Sequence, residues 1–196
     1  PFYPPESLIK GILVNRHGRR FVAEDSYHSR TSMIASEQPG GIAYLIVDDE
    51  CFGRPEFGGY EPIDAWDDFA EMERDLGLPE GSLQETVRRF NENAAKGEDP
   101  DFHKGKKWLK PLVHPPYAAL QGSVGEGAWM CFTLGGLRVN ADGEVVRGDG
   151  STVPGLYAVG ACASNLAQDG TGYSSGTCIG ESTFFGRRAG RHAARA

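Results

Sequence analysis

The chain has 196 residues, of which 27 are glycine and 12 are proline, with a hydrophobic fraction of 39% and a formal net charge of −7. The glycines, at roughly twice ordinary usage, follow no collagen-like period, and enough apolar residues remain to fill a core. An acidic chain without a block of lysine or arginine is a poor candidate for binding nucleic acid or an anionic membrane. It also lacks a run of ~20 apolar residues that would span a bilayer.

The cysteines are widely spaced and form no Cys-x-x-Cys pair, which argues against a zinc ribbon. They stand at Cys51, Cys131, Cys162 and Cys178. We interpret them as small apolar thiols in a reducing compartment, and therefore expect a cytoplasmic protein. His103 and His114 lack metal-ligand spacing, so we expect no metal site.

The first third of the chain predicts a hairpin, a helix and a buried strand. Apolar runs at 11–15 and 20–22 flank a Gly-containing loop, which is typical of a hairpin. A helix is predicted over 24–38 and ends at a Pro-Gly-Gly sequence. The uninterrupted apolar run at 42–47 predicts a strand that is buried on both faces.

Two helices are predicted in the middle of the chain. The first covers 66–76 and is ended by Gly77. The second begins at Ser82, where Ser82 and Glu85 have the spacing of a capping box. Its buried stripe comprises Leu83, Val87, Phe90 and Ala94. A charged, exposed loop is expected over 96–110, and a strand over 117–124.

The last third is rich in short turns. Asp142-Gly143 predicts a hairpin turn within 132–147, and an apolar strand is predicted at 156–160. A Gly/Ser-rich loop then leads to a final helix that begins near Thr177 and ends in arginines, which match the negative end of the helix dipole.

The junction of this loop and helix is the strongest candidate for a functional site. The amides of Gly176, Thr177, Cys178 and Ile179 lie at the predicted helix N-terminus, where they favour an anion or a developing negative charge. The alternative is purely structural: a helix packed closely on a sheet through Gly180, Gly186 and Gly190.

Five segments together resemble the C-terminal part of the FAD-dependent fumarate reductase and 3-ketosteroid dehydrogenase family. They occur in the family order at 11–24, 43–49, 133–137, 155–160 and 185–190. The resemblance implies an α+β cap (catalytic) domain followed by the C-terminal segment of an α/β FAD-binding domain, with the N-terminal Rossmann unit missing. It implies a linking strand at 1–20, the cap at 21–125 and the flavin-domain segment at 126–196.

The loop favours the 3-ketosteroid 4-dehydrogenase branch. No arginine lies between Ala161 and Glu181, and Cys131-Phe132 stands where fumarate reductases carry histidine, so the dicarboxylate-binding set is absent. Residues 171–176 resemble the branch's Tyr-x-Ser-Gly element. An apolar, steroid-like ketone is therefore the expected substrate and FAD the expected cofactor.

The resemblance also assigns roles. Tyr173 and the Gly176 amide would polarise the substrate carbonyl. Tyr27, with relay through Ser175, would remove the α proton. The expected cofactor contacts are Gly160, Ala161, Ser175, Gly176, Thr177, Cys178 and Ile179. Ala161 stands where the family usually carries glutamate.

Two alternative functions remain at this point, and the role of one charged group is also open. The chain could belong to a reductase of an unsaturated acid or ketone, or be a non-catalytic cap that binds a ligand without flavin. The charged group Glu24, Asp25, His28 and Arg30 either contributes to a proton path or is a solvated helix N-terminus. Because the unit that clasps the ADP half of FAD is expected in a missing N-terminal half, the chain alone should bind FAD weakly or not at all.

Overall fold

The computed structural model describes residues 6–53, 60–126, 132–164, 166, 167, 169 and 171–195. Cys131 and Trp129 lie outside these residues. The chain divides into two compact units, Pro1–Met130 and Cys131–Ala196, which we call unit 1 and unit 2. None of the described helices combines the length and the apolar composition needed to cross a membrane.

Unit 1 is built on a four-stranded sheet with the order β1-β2-β4-β3, in which every neighbouring pair is antiparallel. Two short 3₁₀ turns occur at Pro39–Gly41 and Lys106–Trp108. Its helices and strands are α1 (Glu6–Ile9), β1 (Ile12–Asn15), α2 (His28–Ser36), β2 (Ala43–Asp48), β3 (Pro62–Trp66), α3 (Phe69–Leu76), α4 (Ser82–Ala94) and β4 (Tyr117–Gln121).

The core of unit 1 forms around the two central strands. All four residues of β1 are buried, and β2 is buried at every position except Tyr44, as the apolar run predicts. The predicted stripe of α4 is also confirmed, since Leu83, Val87 and Phe90 are all buried. The apolar periodicity therefore correctly identifies the main structural elements of this unit.

The predicted hairpin and the helix after it are both shorter than expected. Residue 20 meets β1 only through a single bridge to Val14, and β1 pairs mainly with β2. Helix α2 begins at His28 rather than at residue 24. The reason is that the Glu24 carboxylate is buried and accepts a hydrogen bond from the Leu13 amide at 2.9 Å, which ties this segment to β1.

The predicted capping box of α4 is wrong. The N-cap position is Gly81, in a left-handed conformation with φ 73°, and it makes no side-chain cap hydrogen bond. The Ser82 hydroxyl is buried without a hydrogen-bond partner among the described residues. Instead, the Glu73 carboxylate from α3 accepts the amides of Gly81, Leu83 and Gln84 at 2.5–2.9 Å. A residue from a different helix thus satisfies donors that the sequence assigned locally.

The expectation of an exposed loop over 96–110 is also wrong in part. Asp99 and Lys104 are both buried, at 7% and 3% exposure. Asp99 accepts the Lys104 amide at 3.1 Å and both terminal guanidinium nitrogens of Arg20. Two of the loop's charges are thus paired inside unit 1, while Lys96, Glu98 and Lys106 are exposed as predicted.

Unit 2 contains the two-stranded antiparallel sheet β5 (Glu144–Val146) and β6 (Thr152–Tyr157), followed by α5 (Thr177–Ala193). The predicted turn is present, because the Gly143 amide bonds to the Asn140 carbonyl at 3.0 Å. The predicted strand lies four residues earlier than expected. Its buried hydrophobic cluster, among described residues, is the small set Val145, Ala158 and Ala163.

Candidate functional site

The predicted loop-to-helix junction is present at the N-terminus of α5. Gly176 is its N-cap, with φ 93°, and open space surrounds the position that a Cβ would take. The 17-residue helix has no acidic residue in its first turn. Its positive dipole end is therefore not neutralised by a carboxylate of its own first turn, which is the condition that an anion site requires.

The individual amides of this junction are not equivalent. The Thr177 amide bonds to the Ser174 carbonyl at 3.1 Å, and the Thr177 hydroxyl donates to the same oxygen at 2.7 Å. Thr177 thus closes the loop onto the helix. Ser175, Gly176 and Ile179 are exposed, and Cys178 is half-buried. The Thr177 amide, one of the proposed cofactor contacts, is therefore already used within the loop.

Gly160 is held by packing against α5. It has φ 60°, and a Cβ there would lie 2.1 Å from the Ser182 hydroxyl oxygen. By contrast, a Cβ at Gly180 or Gly190 would meet no atom within 4 Å. The closest packing of the helix therefore occurs at Gly160. Of the three helix glycines that the structural alternative named, only Gly186 has a neighbour within 4 Å, since a Cβ there would lie 3.9 Å from a Val159 methyl carbon. Ala161, the next residue of the 3₁₀ turn at Gly160–Cys162, is exposed.

Tyr173 is oriented by two neighbours. Its hydroxyl donates to the Cys178 sulfur at 3.6 Å, and its ring meets the edge of the Phe132 ring with centroids 5.1 Å apart. The phenol hydroxyl is thus directed towards the first turn of α5. This places the two groups proposed to polarise a carbonyl, the Tyr173 hydroxyl and the Gly176 amide, in the same loop-to-helix segment.

Two carboxylates that the sequence interpretation missed organise this loop. Asp169 accepts the amides of Thr171 and Gly172, each at 2.9 Å, and the Thr171 hydroxyl at 2.6 Å. The hydrogen bond from that hydroxyl is the main reason that the pKa of Asp169 is lowered. Glu181, buried on α5, accepts the Leu166 amide at 2.9 Å. An Asp two residues before a Thr is a recognisable turn signal that would have identified the first of these.

Tyr27 belongs to unit 1, whereas the other proposed site residues belong to unit 2. It is half-buried at the N-cap position of α2, its carbonyl accepts the Thr31 amide at 3.0 Å, and its ring lies 4.2 Å from that of His28. Its proposed partnership with Ser175 stays a prediction.

Within the charged group around Tyr27, Glu24 is buried and His28 half-buried, whereas Asp25 and Arg30 are exposed. Glu24 accepts hydrogen bonds from Arg20 at 2.9 and 3.0 Å and lies 3.1 Å from the Lys104 ammonium. Burial lowers the pKa of Lys104. Burial opposes the charge of Arg20, but Glu24 and Asp99 outweigh it and raise the pKa of that guanidinium. The solvated helix N-terminus is therefore wrong for Glu24, and the proton-path alternative stays a prediction.

Comparison with known proteins gives a family match and several relatives. The family model of the FAD binding domain matches residues 10–179. The solved structure of 3-ketosteroid-delta4-(5alpha)-dehydrogenase from Rhodococcus jostii RHA1, in complex with 4-androstene-3,17-dione, is 40% identical, with a TM-score of 0.83. The match covers 97% of this chain and 40% of that one.

Two curated relatives extend the comparison. Urocanate reductase from Eggerthella lenta is 31% identical over 94% of this chain and 31% of its own length. A fumarate reductase (cytochrome) from Shewanella frigidimarina is 30% identical over 94% of this chain and 30% of its own length. The chain thus spans about a third of the length of these relatives. The resemblance inferred from the five segments is confirmed.

Proposed function

The chain belongs to the family of FAD binding domains, and from this membership we propose that it forms part of a flavin-dependent dehydrogenase that desaturates a 3-ketosteroid-like substrate. FAD is the cofactor that the family names, as the sequence predicts. The observation that carries the substrate class is the loop before α5, where a tyrosine hydroxyl faces a helix N-terminus and no arginine is present from 161 to 181.

The residues at the start of α5 fit a flavin. An N-cap glycine with open space above it, and a helix N-terminus without an acidic first-turn residue, suit the approach of a flat ring with an electron-rich polar edge. We propose that Gly176, Cys178 and Ile179 hold this edge through backbone. Gly160 and Thr177 would instead hold the loop against the helix, because Gly160 packs on Ser182 and the Thr177 amide donates to the Ser174 carbonyl.

The proposed chemistry removes a proton from the carbon α to the ketone and a hydride from the β carbon. When bound, FAD supplies the acceptor for that hydride. Tyr173 and the Gly176 amide donate to the carbonyl oxygen and stabilise the negative charge that develops there. Tyr27, relayed through Ser175, takes the α proton. A phenol is a poor base, so in this proposal the relay accepts the proton that Tyr27 passes on.

The decisive experiment uses a flavin-loaded protein that contains this chain. We expect anaerobic bleaching of the flavin by saturated 3-ketosteroids and none by succinate. Tyr173→Phe should lower the rate of bleaching by about 10²-fold or more. The control Tyr157→Phe removes a hydroxyl that contacts His192 in the same unit, and should leave the rate unchanged. Bleaching by succinate, with none by the steroids, would replace the steroid proposal by the second candidate.

That second candidate is a reductase of an unsaturated acid or ketone. The similarity to urocanate reductase and fumarate reductase supports it. The absence of arginine from the loop argues against a dicarboxylate substrate, because such substrates are usually held by bidentate or charged donors. A non-catalytic cap without flavin is the third candidate, and it is disfavoured by the match to the FAD binding domain.

We further propose that a separate N-terminal unit completes the flavin site. In the described part of unit 2, apolar side chains on β6 and α5 are exposed: Leu156 by 44%, Ile179 by 72% and Phe184 by 62%. A covering partner would bury them. The chain alone should therefore fail to retain FAD through dialysis. Stoichiometric flavin absorbance after dialysis would contradict this.

A further inference from the structure

A cavity of about 290 Å³ lies within unit 1. Its apolar wall includes Leu8 from α1, Leu13 from β1 and Leu45 from β2, all of which also belong to the core. Trp108, from the 3₁₀ turn, contributes an aromatic side chain to the lining. An engineered apolar cavity of about 150 Å³ in another protein binds benzene, so the cavity in unit 1 has room for roughly two fused rings.

The wall formed by α2 is polar, which is unusual for the inward side of a helix. His28, Thr31 and Ser32 line the cavity, and their spacing places them on one helical face. The Thr31 hydroxyl lies 3.4 Å from the Tyr27 carbonyl, a long hydrogen bond that leaves it able to turn towards a better partner. Burial lowers the pKa of His28, which favours the neutral imidazole.

The acidic residues at the cavity are already engaged. Glu24 is ion-paired with both Arg20 and Lys104, and the Asp25 carboxylate accepts the Gly105 amide at 2.9 Å. At the other end the Lys107 ammonium lies 4.5 Å from the centre of the Trp108 ring. Against α2 a neutral oxygen finds the hydroxyl partners that it needs, whereas a charged group would exchange its hydration for those same hydroxyls.

We propose that this cavity binds a neutral, largely apolar molecule of about two-ring size that carries one ketone or hydroxyl oxygen. The rings lie against the leucine side chains, and the oxygen meets the hydroxyls of Thr31 and Ser32. The site needs no flavin, so its test is separate from that of the proposed dehydrogenase activity.

The test uses the flavin-free chain and three bicyclic probes in calorimetric titration: 2-tetralone, its hydrocarbon tetralin, and 2-naphthoate. We expect saturable binding of 2-tetralone, weaker binding of tetralin and none of 2-naphthoate. Thr31→Val combined with Ser32→Ala should weaken 2-tetralone about tenfold and leave tetralin within about twofold. The control Ser36→Ala, on an exposed hydroxyl of the same helix, should change neither affinity.

A second variant tests whether the probes occupy the cavity, by filling part of its volume with a larger side chain. Ala35 is buried on the same face of α2 and lines the cavity, so Ala35→Leu should weaken both neutral probes at least tenfold. Circular dichroism checks that each variant is folded. If Ala35→Leu does not fold, the combined Thr31→Val and Ser32→Ala variant still tests the proposal. The proposal is overturned if 2-tetralone shows no saturable binding, if the hydroxyl variants bind it like the wild type, or if 2-naphthoate binds as tightly.

Discussion

The two units differ in how much of their apolar surface they bury. Unit 1 gathers side chains from all four strands and from α1, α3 and α4 into one cluster, and it encloses paired charges. Among its described residues, unit 2 buries three small side chains in its cluster and exposes large ones on β6 and α5. The unit that carries the proposed flavin contacts is thus the less self-sufficient of the two, which favours a separate partner for it.

The largest expected effect is in the buried charges of unit 1. Glu24→Gln removes the carboxylate that neutralises Arg20 and Lys104, and should lower the free energy of unfolding by about 3–5 kcal/mol. Urea unfolding followed by tryptophan fluorescence measures this, because Trp66 and Trp108 lie within unit 1. The control Glu37→Gln, on an exposed side chain, should change it by less than about 0.5 kcal/mol. Equal effects would refute the role of the charge cluster.

A smaller effect is expected where α3 caps α4. Glu73→Gln should cost about 1–3 kcal/mol at pH 7, since the amides of Leu83 and Gln84 lose a charged acceptor. Burial raises the pKa of Glu73, but hydrogen bonds from Gln84 and from the amides of Gly81 and Leu83 lower it by more, so the pKa lies below its ordinary value.

This shift gives the pH dependence its sign. The stabilisation by Glu73 is complete above its unfolded pKa and is lost as the pH falls through the lower folded pKa. Between about pH 5 and pH 3 the wild type should therefore lose more stability than Glu73→Gln. Glu71→Gln, on an exposed residue of the same helix, is the control that should follow the wild type. A parallel loss in all three proteins would contradict the assignment.

The glycines of unit 2 provide the third comparison. Gly160→Ala introduces a Cβ at positive φ against Ser182, and should destabilise the packing of α5 by about 1–3 kcal/mol. Gly180→Ala, within the helix and in open space, should stabilise it by about 0.5–1 kcal/mol. Hydrogen exchange of the α5 amides measures both. The same sign for the two substitutions would show that Gly160 is not held by packing.

The smallest effect is expected on the exposed apolar side chains. Ile179→Ser together with Phe184→Ser should change the stability of the chain by less than about 0.5 kcal/mol, because neither side chain is buried in it. Hydrogen exchange of the α5 amides measures this effect as well. The comparison variant is Ala189→Ser, which changes a buried residue of the same helix and should lower the stability more than the exposed pair does. A large loss for the exposed pair would mean that these residues already pack within the chain.

Local patterns predicted the elements that depend on few neighbours. The apolar run of β2, the stripe of α4 and the start of α5 at Thr177 were all evident from spacing. The strand at 156–160 was displaced because its apolar residues continue into a 3₁₀ turn, where Gly160 meets Ser182. The candidate loop was found from its glycines and its resemblance, while its organising carboxylates, Asp169 and Glu181, were not.

By itself, the sequence determined the family, the cofactor and the position of the loop-to-helix junction, because these depend on residues that are close together or in a fixed order. Only the tertiary structure decided which charges are buried. Glu24 lies 80 positions from Lys104, and Glu73 belongs to a different helix from the amides that it caps. In a sequence, a charged residue that will be buried looks the same as one that will be solvated. Whether it is paired inside the protein depends on which distant segment folds against it.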